Sequence, residues 1–437
     1  MSQVLLESTL QGEQGLSLSQ SGYARHQTLS DSQPLTWSQK SYRKLFLQIL
    51  KHISCGQITL IEMGQVHHFG KTNTGLNASV TIHDAECYGR FLREGALGAA
   101  EAYLRGEWST SDLTSLLRIF WQNQAALNQV DARRSWISRG LARLGHLLRD
   151  NNQAGSRKNI HEHYDLGNDF FELFLDETMM YSSAWFEEES STLKEASLAK
   201  LDRICRKLQL SENDHVLEIG TGWGGFAHYA ASRYGCRVTT TTISQEQYDY
   251  ARNRIEQAGL SDKVELLLED YRDLAGTYDK LVSIEMIEAV GDRHLDHYFE
   301  VCSDRLKPGG AMLIQAITIP DQRYASYLKS VDFIQKYIFP GGCLPSIGAI
   351  NRSVARTDLR LIDLQDFASH YARTLRCWRE EFFKHTGQLE KLGFDERFRR
   401  MWEYYFCYCE AGFEERATGV SHIVFAKPES RLEVKLV

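Results

Sequence analysis

The 437-residue chain lacks an uninterrupted apolar run of the ~18 residues needed to cross a bilayer. Residues 1–39 lack the basic stretch followed by an apolar one that marks a secretory leader. The two absences predict a cytoplasmic protein, neither secreted nor membrane-spanning. Paired CxxC motifs are missing as well: nine cysteines, an odd number, are scattered from Cys55 to Cys409, so neither a disulfide framework nor a zinc knuckle is read and no metal is expected. Nor is there an excess of positive charge. Fifty Lys and Arg against 57 Asp and Glu leave a net charge of −7, which excludes a general nucleic-acid binder and confines any basic contact surface to one region. What is present is ordinary globular composition, 43% hydrophobic and 24% charged, at a length that suits two or three domains.

Residues 1–40 are rich in Ser, Gln and Thr without periodicity and read as a flexible tail. Residues 41–130 read as a small α+β domain, with a helix from 41, alternating strands at 57–61 and 79–82, and helices around 87–93, 98–104 and 112–122. Between 133 and 150 stand five arginines and one acid, with Ile137, Leu141, Leu144 and Leu148 on one helical stripe. This stretch fits a basic amphipathic helix on an anionic membrane surface, and equally a linker helix docked on a neighbour. With the polar residues 151–158 it forms a connecting segment, 131–158. Over 159–430 strands and helices alternate, with strands expected at 215–219, 237–242, 264–268, 280–284 and 311–317 and a turn at 306–310. Such alternation predicts a parallel sheet covered on both faces.

Within that second domain, Val216-Leu217-Glu218-Ile219 runs into Gly220-Thr221-Gly222-Trp223-Gly224-Gly225, an apolar strand ending in glycines before a helix. Glycines let the backbone turn tightly and approach a ligand at the crevice where open α/β sheets bind. A dinucleotide site would place an acid ~20 residues further on. Here Thr239 to Thr242 stand instead, followed by Ser244 and Gln247, whose hydroxyls and amide suit a nucleoside sugar without adding charge. The acid, Glu218, precedes the glycines, where it suits a cationic ligand.

Glu-x-Gly-x-Gly of this kind resembles motif I of class I S-adenosylmethionine methyltransferases. From about 157 to 427 the chain resembles the cyclopropane-fatty-acyl-phospholipid synthase family more specifically. The matching pieces are Asn159 to Phe171, Tyr181-Ser182-Ser183-Ala184-Trp185-Phe186, Glu218 to Gly225, Thr242 to Gln247, Asp270-Tyr271-Arg272-Asp273, Lys336 to Gly342 and Tyr371 to Trp378. Residues 99–103 and 106–108 are similar to the small lipid-facing domain of the bacterial enzymes. The resemblance implies an α/β fold, a class I methyltransferase (Rossmann-like) doubly wound sheet preceded by the small α+β domain. It also implies transfer of the methyl of S-adenosylmethionine to a cis double bond in a phospholipid acyl chain, with ring closure as a bound bicarbonate takes the proton. The implied partner is a phospholipid bilayer, met peripherally at the inner, anionic face; a homodimer is an assembly the resemblance admits.

By the same resemblance, Tyr181 and Ser182 reach the sulfonium end of the cofactor, Glu218, Gly220, Gly222 and Gly224 the methionine part, Thr242, Ser244 and Gln247 the ribose, and Tyr271 with Arg272 the adenine. Glu288, the Ile317 backbone and Tyr371 surround the bicarbonate. Three family positions differ: the cysteine after Tyr-Ser is Ser183, the histidine on the fifth strand is Gln315, and the histidine after the glutamate is Ala289. Ser183 and Gln315 still offer donors to the anion. A poorly placed base would let the carbocation shift hydride and give a methyl- or methylene-branched chain. Glu285 reads as a solvated helix acid. Cys409 matches a cysteine called catalytic in the family; sulfonium-to-alkene transfer requires no thiolate, so it reads first as a buried structural thiol. Two further functions fit the same fold: a small-amine N-methyltransferase and a lipid-binding protein without activity.

Overall fold

A computed structural model of the chain describes residues 34–71, 75–124 and 166–434. The tail up to 33, the connecting segment 131–158 and the start of the Asn159 motif lie outside the described residues. The first helix, Trp37–Leu50, begins inside the stretch expected to be tail. Thr36 and Gln39 exchange a capping box there, so a polar run without periodicity nevertheless starts a helix.

Strands β1 (Gly56–Glu62), β2 (Gln65–Lys71), β3 (Asn77–Ile82) and β4 (Trp108–Thr110) form a four-stranded sheet in the order β2-β1-β3-β4. The two helices expected at 87–93 and 98–104 are present within Glu86–Leu104, separated by a kink at Gly95, whose φ of 59° is non-helical. Asp112 caps helix Leu113–Gln122 through Ser115 N–H.

The second sheet has seven strands. The five expected ones are β5 (His215–Ile219), β6 (Arg237–Thr241), β7 (Val264–Leu267), β8 (Tyr278–Ile284) and β9 (Leu306–Thr318). All pair in parallel in the order β7-β6-β5-β8-β9. The turn expected at 306–310 is instead the start of β9, accommodated by a register shift in its pairing with β8. Beyond β9 the sheet continues antiparallel through β11 (Gly419–Ala426) to β10 (Arg360–Asp366). The chain winds outward from β5 to β7 and then crosses to β8, so the switch point lies between β5 and β8, and the crevice beyond their carboxyl ends is where such a sheet binds ligands.

Helix Glu396–Glu414 joins the two sheets into one body. Its acids face the helix Leu113–Gln122: Thr114 Oγ1 donates to Glu410 at 3.1 Å, and Arg118 Nε donates to Glu415, just past the helix end, at 2.6 Å. Its apolar face, with Trp402 and Phe406 buried, belongs to the same core as Leu116, Ile119 and Tyr103 of the first unit. Among the described residues no helix is long and apolar enough to cross a membrane.

Candidate active site

At the end of β5 the backbone N–H groups of Gly220 and Thr221 donate to Thr241 O, tying the glycine loop to the end of β6. Gly222 has φ 52°, and a Cβ built there would meet no protein atom within 4 Å. The position faces a cavity of about 340 Å³, which Gly220 and Gly222 both line. Gly224, by contrast, caps helix Gly225–Arg233 with φ 80° and packs on Ala251, away from the cavity. Glu218 also lines the cavity; its carboxylate accepts from Thr240 Oγ1 at 2.6 Å, and burial pushes its carboxyl up to about 8 against the pull of Lys200.

After β6, Thr242 Oγ1 donates to Gln247 Oε1 at 2.9 Å, which presents both side chains to the cavity. Ser244 does not line it: its hydroxyl caps helix Gln245–Gln257 by accepting from Gln247 N–H. Tyr271 and Arg272 stand at the far wall, the guanidinium forked onto Asp270 through two bonds of 2.7 Å. Tyr181 and Ser182 close the near side. Ser182 Oγ accepts from Lys200 Nζ, a fully buried ammonium whose pKa burial lowers to about 8. Lys200 was absent from the sequence-based site; nothing in its helical surroundings marks it.

The other half of the site follows β8, and here the structure corrects the expectation. Glu285, read as a solvated helix acid, is the residue on which the bicarbonate donors converge. Ser183 N–H and Gln315 Nε2 donate to its Oε1 at 2.9 and 2.7 Å, and Tyr371 Oη donates to its Oε2 at 2.6 Å. Ser183 contributes its backbone rather than its hydroxyl, which turns to Ala184 O. Burial raises the Glu285 carboxyl, opposed by these bonds and by Lys200. Glu288 Oε1 accepts from Ile317 N–H at 2.5 Å, while its Oε2, closed off from solvent, has no hydrogen-bond partner among the described residues. Burial and the neighbouring Glu285 push Glu288 up to about 8. The residues present therefore do not fit a bicarbonate ion where the family places it, because a protein carboxylate already takes three of its donors.

Cys409 lines the cavity, and burial pushes its thiol far above the usual range, so it is a neutral wall group. Tyr327 and Phe339 also line the cavity. Trp185 and Phe186 do not: they stack with His370 and lie beneath Arg203 and Arg373 respectively. Trp121, from the first unit, also lines the cavity, its ring centroid 6.0 Å from that of Tyr408.

A glycine loop at the switch point, hydroxyl and amide groups at the end of the second strand and an aromatic at the third fit S-adenosylmethionine, and with the doubly wound sheet they define a class I methyltransferase dependent on that cofactor. Residues 151–423 match the family described as mycolic acid cyclopropane synthetase, and the chain belongs to this family. It is 42% identical over 344 residues to tuberculostearic acid methyltransferase UfaA1 of Mycobacterium tuberculosis, covering 77% of this chain and 80% of that one. To the cyclopropane-fatty-acyl-phospholipid synthase of Escherichia coli it is 38% identical over 361 residues, 81% of this chain and 89% of the other. The solved mycolic acid cyclopropane synthase CmaA1, complexed with SAH and CTAB, superposes with a TM-score of 0.58 at 31% identity over 62% of this chain and 98% of its own.

Proposed function

We propose that the enzyme transfers the methyl of S-adenosylmethionine to the cis double bond of an unsaturated acyl chain carried by a membrane phospholipid, and that loss of a proton from the added methyl closes a cyclopropane ring. One observation carries this reading: a single cavity joins the glycine loop to buried carboxylates and continues along an apolar wall of Phe339, Tyr408 and Phe413 to Trp121. An acyl chain suits that wall, and a small polar amine does not. When bound, the cofactor supplies an electrophilic methyl. Gly220 and Gly222 would approach its amino-acid end, Gln247 its ribose and Tyr271 its adenine, while the closed apolar wall keeps water from a cationic carbon.

Mass spectrometry of phospholipids from a host making the protein tests the reading. A mass gain of one CH₂ on monounsaturated chains, with fragments locating a ring at the former double bond, is the expected result; unchanged lipids would overturn it. A second reading is C-methylation to a branched chain, supported by the 42% identity to a tuberculostearic acid methyltransferase. The same fragments would then locate a methyl or methylene branch.

The bilayer is proposed as the partner, with the basic residues of 133–150 as its contact. At ~1 kcal/mol per basic residue near an anionic surface, replacing Arg139 and Arg143 by Gln weakens binding to phosphatidylserine vesicles roughly ten- to thirtyfold. Equal sedimentation of parent and variant at low salt would assign the segment to an internal linker.

A further inference from the structure

We propose that the carboxylate of Glu285 stands in the place of a bound bicarbonate and is itself the proton acceptor, so that this enzyme needs no exogenous anion. The proposal rests on the alkene-alkylation reading above. Three residues expected around the ion, Ser183, Gln315 and Tyr371, donate to Glu285 instead, Ser183 through its backbone N–H rather than the expected hydroxyl. A carboxylate presents the same planar pair of oxygens as one edge of bicarbonate, and each oxygen can accept more than one hydrogen bond. Oε2 accepts from Tyr371 alone among the described residues, which leaves it capacity for a substrate proton.

The donors are held for this task. His422 is buried and neutral, and its Nε2 lies 3.0 Å from Gln315 Oε1. With His422 Nε2–H donating, the Gln315 amide is oriented with its NH₂ toward Glu285, where it also reaches Ser183 O at 3.2 Å. The backbone of Glu285 takes a left-handed φ of 49°, a conformation glycine adopts far more cheaply. Such a residue persists where its side chain is held by its surroundings.

The two glutamates are separated in role by their surroundings. Burial raises the Glu285 carboxyl, but three donors and the Lys200 ammonium oppose that rise, a support for the charged form that Glu288 lacks. Glu288 accepts only from backbone N–H groups, among them that of Ile317, and has a bare Oε2; burial and the neighbouring Glu285 push its carboxyl up to about 8. Carboxyls pushed apart in this way divide base from neutral partner.

The step balances as follows. The alkene π pair forms a bond to the methyl carbon while the carbon–sulfur bond breaks with its pair left on sulfur. The cation left on the chain is closed by the electron pair of a C–H bond of that methyl, and the proton passes to Glu285 Oε2. Glu285 becomes a neutral acid and loses the proton to solvent before the next turnover.

The test compares the parent with Glu285→Gly and Glu285→Gln on dioleoyl-phospholipid vesicles with S-adenosylmethionine, in buffer stripped of carbon dioxide and again with millimolar bicarbonate. The parent turns over equally in both. Glu285→Gly, which suits the left-handed backbone and opens a space the size of the lost carboxylate, falls roughly a hundredfold or more in stripped buffer, the scale of one positioned base. Bicarbonate restores at least a tenth of its activity, whereas Glu285→Gln, with the space still filled, is not restored. A parent that stops when bicarbonate is stripped, or a Glu285→Gly protein as active as the parent without it, overturns the proposal. Calorimetry with bicarbonate on the cofactor-loaded proteins gives a readout independent of the lipid: the parent takes up none and Glu285→Gly binds it saturably. Saturable binding by the parent overturns the proposal even if both proteins turn over. A parent that alkylates no phospholipid refutes the preceding section alone, since anion binding still decides whether Glu285 fills that place.

Discussion

The loops that follow β5 and β8 lie side by side at the switch point, yet they are built from opposite materials. The β5 loop is backbone and glycine, and the acid on the strand before it, Glu218, is already bonded to Thr240 from the neighbouring strand. The β8 loop presents two carboxylates whose partners come from positions 183, 315, 317 and 371. A cofactor cradle can thus be written in one short stretch of chain, because glycines and a strand end suffice to shape it. A base site cannot, because a carboxylate's ionisation depends on whichever donors and charges the rest of the fold brings to it.

The largest expected effect that would break this contrast concerns Glu288. Its carboxyl rises from 4.5 to about 8 on folding. Between those values the folded state holds a proton that the unfolded chain has released, so this contribution to stability is full below 4.5 and is lost as pH rises through about 8. Glu288→Gln, which cannot ionise, flattens the decline by ~2–4 kcal/mol between pH 5 and 9 in denaturant melts. Glu218, raised to a similar value, keeps its share in both proteins. Parallel stability curves would show that Glu288 is solvated and the two loops alike.

Next in size is the cradle. Gly222→Ala adds a methyl with no protein atom within 4 Å, directed at the cavity, and holds a non-glycine residue at a left-handed φ of 52°, itself a cost of ~1 kcal/mol. Overpacking at that scale costs ~1–3 kcal/mol, so cofactor affinity by calorimetry falls roughly ten- to a hundredfold with the sheet still folded. Unchanged affinity would remove the β5 loop from the cofactor site. The smallest effect sharpens the contrast: Thr242→Val removes the hydroxyl that donates to Gln247 Oε1 and accepts from Ser244 N–H and weakens cofactor binding by ~1–2 kcal/mol, the value of one or two ordinary hydrogen bonds. The fall in affinity should leave turnover at saturating cofactor untouched, whereas Tyr371→Phe, which removes a donor from Glu285, should lower turnover and leave cofactor affinity as it was.

Much of the fold was legible because its signals are local. Five strands of the large sheet and the glycine loop each depend on neighbours in sequence, whereas Ser244, read as a ribose contact, caps a helix instead. Family membership is local too, since it rests on short motifs read in order. The antiparallel strands β10 and β11 were not legible, since they pair across more than fifty residues and one is an exposed edge with little apolar patterning. Nor was the docking of the first unit, because Thr114 and Arg118 lie almost three hundred residues from Glu410 and Glu415, the acids they meet, and nothing local pairs them.

By itself the sequence determined the class of chemistry: a glycine-rich strand end, the Thr242 to Gln247 stretch without an added acid and a chain of family motifs specify a methyltransferase dependent on S-adenosylmethionine and its family. Only the tertiary structure decided which glutamate sits among the donors. Glu285 and Glu288 are three residues apart at one strand end, and the choice between them turns on a left-handed backbone at 285 and on donors drawn from three distant segments. Composition and spacing carry neither, because side-chain direction in a loop is set by backbone angles and by packing that form only when the whole sheet has closed around them.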